Sequence, residues 1–424
     1  MALRNVSPGL LQSWEKTATK ANRLHSCWEE LSNRADSLQS IPNAKEAKVP
    51  KDVLHYVNAE NGKGSWKVTI PMIEGLKEDG KGGLDKAEGS GETPEALYAE
   101  AFWNIRRKVI NVSTEGVENA AIAYLKVTQQ GHSMLMDWMA EDRDYSCQQA
   151  LLEGGDRYII DDAYWQGNKE MTTAPAKRRL HPNIAFSGMT NVIARTGTFV
   201  TDVGTLKTAL AGATSATSKF TLANLDRAID YAYRFVKPLK MASGSEAVRY
   251  VMLVSPMQAL QLAQDQVWID LMKSAERRGP DNRAISGILG MRKGVLIVED
   301  VRSPILDMTA DNDKAFQYVT PMTANSLDGL YGYGKLNRGE KTAAANGSME
   351  IARILGAGAI GCPMSGKIEF DDGDKDFGFQ KEICAVLRCG YNRLDFKGKD
   401  KNKAEIIRNV SSALYLTATP SISY

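Results

Sequence analysis

Between residues 61 and 112 the chain reads as one long β-hairpin with too little of its own surface to bury. Trp66, Val68 and Ile70 alternate with Lys67 and Thr69, the period-two signal of a strand. Eight glycines crowd residues 61–91 and mark a broad tip. A second extended stretch, rich in Ile, Val and aromatics, follows at 98–112. Arms of about 10–15 residues reach roughly 35–50 Å. A lone two-stranded hairpin is at best marginally stable in water. This one must lie on another surface, and a second copy of the chain is the economical choice.

A helical pattern follows at once. Over 114–153, Val117, Ala121, Leu125, Thr128, His132, Leu135 and Met139 hold a 3.6-residue stripe. Gly154 and Gly155 supply the stop. Such a helix is about 60 Å long if straight. A compact chain of this length is roughly 55–60 Å across, so the helix is expected to cross a flat, elongated molecule. Gly131 costs about 1 kcal/mol against alanine, and a kink or break is expected there.

Residues 13–38 are helix-compatible, with Trp14, Trp28 and Leu31 as anchors, until Pro42 and Pro50 break the pattern. Residues 1–60 therefore read as an arm. Residues 155–220 are weakly periodic, and 206–218 read as loop. From Phe220 an α/β region begins. Thr221 caps a helix carrying Leu222, Leu225, Ile229, Tyr233 and Val236, which Pro238 stops. Tyr250–Val254 reads as a strand, and Ser255, Pro256 and Gln258 as a capping box with proline at the first helical position. Helices continue to about Arg278, a Gly-Pro-Asp-Asn turn follows, and strands are expected at 295–298, 316–319 and 330–333. Residues 348–360 read as a helix, 381–396 as an apolar strand ribbon and 413–417 as a short strand.

Lys and Arg total 53 against 51 acids, so no bulk basic excess coats nucleic acid. No charged-then-apolar leader opens the sequence and no apolar run approaches 18 residues, so use inside a cell is expected. Five cysteines, an odd and scattered set, read as reduced buried thiols.

Motifs for chemistry fail one by one. Gly356, Gly358 and Gly361 match G-x-G-x-x-G, but a helical pattern precedes them where a dinucleotide site needs a strand. Small residues for close helix packing are the better reading. The run Gly361 to Lys367 misses a P-loop because Ile368 stands where the magnesium ligand belongs, and no helix follows. Asp372, Asp374 and Asp376 begin like a calcium loop, but Phe377 replaces its glycine and Ile383 its closing glutamate, leaving an exposed acidic turn. Asp376-Phe377-Gly378 lacks every other kinase element. Cys384 and Cys389 lie five apart on a strand and face opposite ways, which suits core packing. His25, His55, His132 and His181 are scattered, with His132 on the helix stripe as a core residue. No catalytic, cofactor or metal residue is assigned, and no enzyme activity is expected. Arg106, Arg107 and Lys108 follow Phe102 and Trp103 on the returning arm, facing Trp66 across the hairpin. For this basic run contact with a second subunit is preferred over simple solvation or nucleic-acid binding, and Trp66, Phe102 and Trp103 are assigned to the same contact.

Four blocks in order then carry a resemblance: LMDWMAEDRDYSCQQALLEGG (135–155), SPMQALQLAQDQVWIDLMKSAERRGPDNRAISGILGMRKGVLIVED (255–300), SMEIARILGAGAIGCPMSG (348–366) and DDGDKDFGFQKEICAVLRCGYNRLDF (371–396). Together, over most of 50–396, the chain resembles the major capsid proteins of tailed phages, in the family that includes the N-four-like podovirus shell protein. The resemblance implies the α+β Hong Kong 97 fold. Its parts would be an N-terminal arm (1–60), an extended loop (61–112), a peripheral domain with a spine helix and room for an insertion (113–220), and an axial α/β domain (221–345). Residues 346–424 would return to the peripheral domain and end in strands. It implies hexamers and pentamers in an icosahedral shell around double-stranded DNA, touched non-specifically on the inner face. Portal, scaffold and decoration proteins would be partners, with no membrane and no cofactor. Location would be the virion, assembled in the host cytoplasm. Some relatives cross-link Lys to Asn, but no match here carries that over. Two rivals remain: a bacterial nanocompartment shell of the same fold, and an α/β enzyme using 220–360.

Overall fold

The computed structural model describes residues 28, 53–58, 66–73, 96–113, 127–160, 180–186, 203–211, 218–239, 248–276, 288–312, 315–318, 347–375, 380–399 and 405–418. Its first strands are β1 (Leu54–Asn58), β2 (Lys67–Ile73), β3 (Ala96–Phe102), β4 (Asn104–Ser113) and β5 (Ile184–Phe186). Then come β6 (Tyr250–Val254), β7 (Ile288–Arg292), β8 (Val295–Glu299), β9 (Ile305–Asp307), β10 (Phe316–Gln317) and β11 (Ser348–Leu355). The last are β12 (Ile360–Lys375), β13 (Gln380–Cys389), β14 (Asn392–Arg393), β15 (Phe396–Lys399), β16 (Glu405–Arg408) and β17 (Ser412–Ala418). The helices are α1 (Val127–Glu153), α2 (Arg157–Ile160), α3 (Val203–Leu210), α4 (Leu222–Phe235), α5 (Pro256–Ala263) and α6 (Gln266–Glu276).

The expected hairpin is half right. β2 and β3 pair antiparallel, from Lys67 opposite Phe102 to Ile73 opposite Ala96. Pro71, which has no N–H to give, sits on β2 at the edge of its sheet, where proline is tolerated. The Trp103 N–H donates to the Trp66 carbonyl (3.1 Å), and there the returning arm divides. β3 stays in a four-stranded sheet ordered β16-β15-β3-β2. β4 leaves it and pairs along its whole length with β13, Asn104 opposite Cys389 through Ser113 opposite Gln380. The glycine-rich tip lies outside the described residues.

β4 closes one side of a second sheet ordered β1-β12-β13-β4, with β14 also on β12. α1 crosses it, packing Leu135 and Met139 against Ile383 and Ala385 of β13. The helix runs unbroken through Gly131, so no break occurs at that glycine. It ends at Gly154, whose φ of 95° suits glycine and whose N–H donates to the Ala150 carbonyl (2.8 Å). The expected turns at 114–126 lie outside the described residues.

The third sheet has eight strands: β10-β9-β11-β6-β8-β7, with β17 joining β11 to β5. It separates two cores. Met349, Ile351 and Leu355 of β11 join Leu151, Leu152 and Leu206 on one side, while Ala352 and Ile354 join Leu225, Ile229 and Leu262 on the other. Residues 348–360 are thus not a helix but β11, a turn and the start of β12. All eight β11 residues are buried, so no polar face reveals the period of two. The glycines of that stretch consequently do not pack helices. Gly356 instead backs onto the Lys237 carbonyl, 2.2 Å from where a Cβ would stand. The loop expected at 206–218 is also partly helix, because Leu206 and Leu210 of α3, one turn apart, are both buried. β10 covers Phe316 and Gln317 of the strand expected at 316–319, while Val319 and the strand at 330–333 lie outside the described residues.

Local signals held where they were strongest. Thr221 caps α4 by accepting from the Asn224 N–H, and the Ser255–Gln258 capping box is complete, with Pro256 opening α5.

Gly390 and Gly373 give a test of the packing. A Cβ on Gly390 would fall 2.0 Å from the Phe102 carbonyl oxygen, whereas one on Gly373 meets nothing within 4 Å. Gly390→Ala is expected to destabilise the unassembled chain by about 3 kcal/mol and Gly373→Ala by less than about 0.5 kcal/mol, measured by denaturant unfolding.

Candidate functional site

β4 carries the chemistry that orients the molecule. Its alternation turns Asn104 and Arg106 inward and leaves Ile105, Arg107 and Val109 exposed. Arg106 is 2% exposed. Its Nη1 donates to Asp142 Oδ2 and Ser146 Oγ, each at 2.8 Å, and its Nη2 to Asp156 Oδ2. The guanidinium lies 4.6 Å from the Tyr158 ring centre and 4.8 Å from that of Tyr391. Asp156 also accepts from the backbone N–H groups of Tyr158 (2.9 Å) and Tyr391 (2.7 Å). Arg157 adds a bond to Asp142 Oδ1 at 2.6 Å. Burial works against the Arg106 charge, but Asp156 and Asp142 outweigh it and raise the guanidinium pKa well above its usual value. Burial also raises the Asp156 carboxyl pKa, against the pull of Arg106.

Two further arginines hold the other sides of α1. Arg302, in the turn after β8, reaches Asp144 (3.2 Å) and Glu141 (3.4 Å). Arg393 of β14 donates to the Leu151 (3.0 Å) and Leu152 (3.3 Å) carbonyls at the C-terminal end of the helix, where backbone acceptors lack partners and positive charge is favoured. It also bonds the Leu180 carbonyl (3.2 Å) and Asp395 Oδ2 (2.8 Å). Within the sheet behind, fully buried Arg353 pairs with Asp300 (2.8 Å).

His181 sits beside this frame. Its Nδ1 accepts from the Asn183 N–H (3.0 Å) and its Nε2 meets Ser412 Oγ (2.8 Å), which fixes a neutral imidazole with the proton on Nε2. Burial, then the Arg393 charge, lowers its pKa well below 6.5.

The six expected contact residues separate. Phe102 and Arg106 are corrections: both are buried within the chain, Phe102 against Ile159 and Arg106 in its carboxylate cage. Trp66 and Trp103 are half-buried against one another, ring centres 4.7 Å apart. Arg107 and Lys108 are exposed, with Lys108 Nζ 5.5 Å from the Trp138 ring centre. Sequence reasoning missed Asp142, Asp156, Arg157, Arg302, Arg353 and Arg393. The available signal was the acid-rich run Glu141 to Asp144 in a helix that had to be buried, together with the period of two that separates Arg106 from Arg107. Cys147, Cys362 and Cys389 are buried free thiols, and burial pushes Cys389 up to about 11. Among the described residues, no group of three or more His, Cys, Asp or Glu is placed to hold a metal ion.

Comparison with known proteins follows the same lines. The family model described as phage capsid protein matches residues 50–414. Among solved structures, the capsid of Ralstonia phage GP4 is 14% identical with a TM-score of 0.57, each chain covered to 88%. The acid-stable capsid of Helicobacter pylori bacteriophage KHP30 is 15% identical with a TM-score of 0.58, covering 95% of this chain and 94% of that one. The cyanophage Pam1 capsid is 12% identical with a TM-score of 0.55, each chain covered to 99%. No curated protein matches. At these identities the likeness is one of fold, the Hong Kong 97-like α+β fold.

Arg106→Met strands two buried carboxylates and is expected to cost about 3–5 kcal/mol in denaturant unfolding, with Arg106→Lys recovering little because lysine lacks the planar fork. For His181, the unfolded chain binds a proton near pH 6.5 while the folded chain resists it. Its contribution is therefore full above that pH and falls as pH drops toward the lowered folded value, by at most about 1.4 kcal/mol per pH unit. In His181→Gln the stability lost between pH 7 and 5 is expected to shrink, read from unfolding midpoints.

Proposed function

We propose that this chain, which belongs to the phage capsid protein family, builds an icosahedral shell of hexamers and pentamers around the double-stranded DNA of a tailed phage. It is a major capsid protein, a structural protein of the virion whose copies assemble into a lattice of capsomers. The family match across residues 50–414 carries the reading. The structure supports it physically. Among the described residues, the sheet of the β2–β3 hairpin is completed by the short β15 and β16 alone, and an arm with so little sheet of its own is suited to lie on a neighbouring subunit. The axial domain corresponds in this reading to the eight-stranded sheet with α4, α5 and α6. The peripheral domain corresponds to α1 with the β1-β12-β13-β4 sheet. Because β11 and β17 lie in the eight-stranded sheet, the stretch 346–424 serves both domains rather than one. Residues 1–60 act as the arm. Portal, scaffold and decoration proteins are the proposed partners. DNA meets the inner face through non-specific electrostatics, and assembly proceeds in the host cytoplasm. Of the six residues first assigned to subunit contact, Trp66, Trp103, Arg107 and Lys108 stay in that role.

Electron microscopy with mass measurement tests the whole reading. The full chain, with its scaffold if one is needed, is expected to give closed megadalton particles. A chain lacking residues 75–92 is expected to keep its folded core by circular dichroism yet form no normal shells. A stable monomer or dimer under every condition would sink the capsid assignment, and intact shells from the deletion would remove the hairpin tip from assembly.

A further inference from the structure

Among the described residues, the sheet under α1 has no strand on either side over much of its length. β1 pairs only with residues 360–364 of β12, so along 369–375 the sheet narrows to β12, β13 and β4. Among the described residues, no strand pairs with the outer edge of β4 or with the outer edge of β12 along 369–375.

These two edges carry opposite charge. Arg107 and Lys108 are exposed on β4, and Glu369 and Asp371 are exposed on β12. The register sets them in rows. Arg107 lies opposite Val386 and Val386 opposite Glu369; Val109 lies opposite Cys384 and Cys384 opposite Asp371. Residues directly opposite across a ladder share a face. The face away from α1 therefore runs from basic and apolar at β4 to acidic at β12. Ile105 and Val109 on it are 38% and 46% exposed. Glu369 pairs across to Arg388 (3.3 Å), itself part-exposed.

The helix face is apolar above each edge. Trp138, Asp142 and Ser146 form one stripe of α1 that runs antiparallel to β4 over Lys108 and Arg106. Met134, one turn before Trp138, continues that stripe and is 46% exposed. Met136 lies about 200° round the helix from Met134, toward β12, and is 44% exposed. Phe370 on β12 is 39% exposed.

A ten-residue open edge with exposed aliphatic side chains is a hazard in a protein meant to stay alone. We propose that it is a docking edge for a second copy of this chain: the basic β4 edge of one subunit pairs with the acidic 369–375 edge of the next, joining their ribbons into one sheet. Arg107 meets Glu369 and Asp371 of the second copy on the face away from α1, and Lys108, on the helix side of the same edge, adds to its positive charge. β4 and β12 run parallel, since each is antiparallel to β13, and each subunit uses a different edge on each side. The contact is heterologous, the type that closes rings when its rotation allows. The proposal rests on the capsid reading and assigns one of its contacts.

Charge exchange in the full chain tests it under conditions where wild type forms particles. Arg107→Glu with Lys108→Glu, and separately Glu369→Lys with Asp371→Lys, are each expected to lower particle yield by about tenfold or more, read by sedimentation and microscopy. All four substitutions together are expected to recover most of the yield. That recovery separates a lost contact from misfolding, because the recovered chain carries every change. Undiminished yield from either reversed pair, or no recovery in the fourfold variant, overturns the proposal. Loss from the β4 pair alone assigns that edge another partner and overturns it equally. Wild type that never forms particles overturns the capsid reading and this contact with it, whereas the other failures leave that reading standing.

Discussion

A guanidinium enclosed by two carboxylates, a hydroxyl and two tyrosine rings fixes where β4 lies on α1, and the rest of the architecture takes its bearings from that junction. An unpaired charge in so dry a place costs several kcal/mol, so the cage is either complete or not worth forming. Arg302 and Arg393 repeat the device from other directions, one in the turn after β8 and one on β14. The helix is thus tied to two sheets by charged, directional bonds as well as by the apolar contacts of Leu135 and Met139. Apolar contact tolerates sliding; a planar donor between two acids does not. The arrangement joins sheets that, among the described residues, share no strand.

What could be read in the sequence was local. Thr221, the Ser255–Gln258 box and Gly154 announced helix ends correctly because capping involves neighbours three or four residues apart. The pairing of β4 with β13 joins residues more than 250 positions apart, and no local pattern reports it. β11 was misread because burial on both faces erased its alternation and left a composition of Met, Ala, Arg and Leu that suits a helix. The inward Arg106 and outward Arg107 differ only in parity, which a run of three basic residues conceals until the register is fixed. The order of four sequence blocks reached the fold where propensity did not.

The subunit joins a rigid middle to unfinished margins. Its buried polar groups gather around α1 and the eight-stranded sheet, while among the described residues the outer edges of β4, of β12 along 369–375 and of β2 have no paired strand. A building block needs both properties. The middle must keep its shape so that repeated copies meet at one angle, and the margins must lack partners until those copies arrive.

The place of β17 bears on when such a block becomes ready. It lies between β11 and β5, so the last of the described strands to be synthesised joins one made near residue 355 to one made near residue 185. Until residues 412–418 emerge from the ribosome, β5 lacks the one strand that pairs with it among the described residues, and both cores beside the sheet are incomplete. Pairings this distant in sequence also slow folding. Translation itself thereby delays completion of the subunit, and a nascent chain is poorly suited to join a growing particle before β17 has been made.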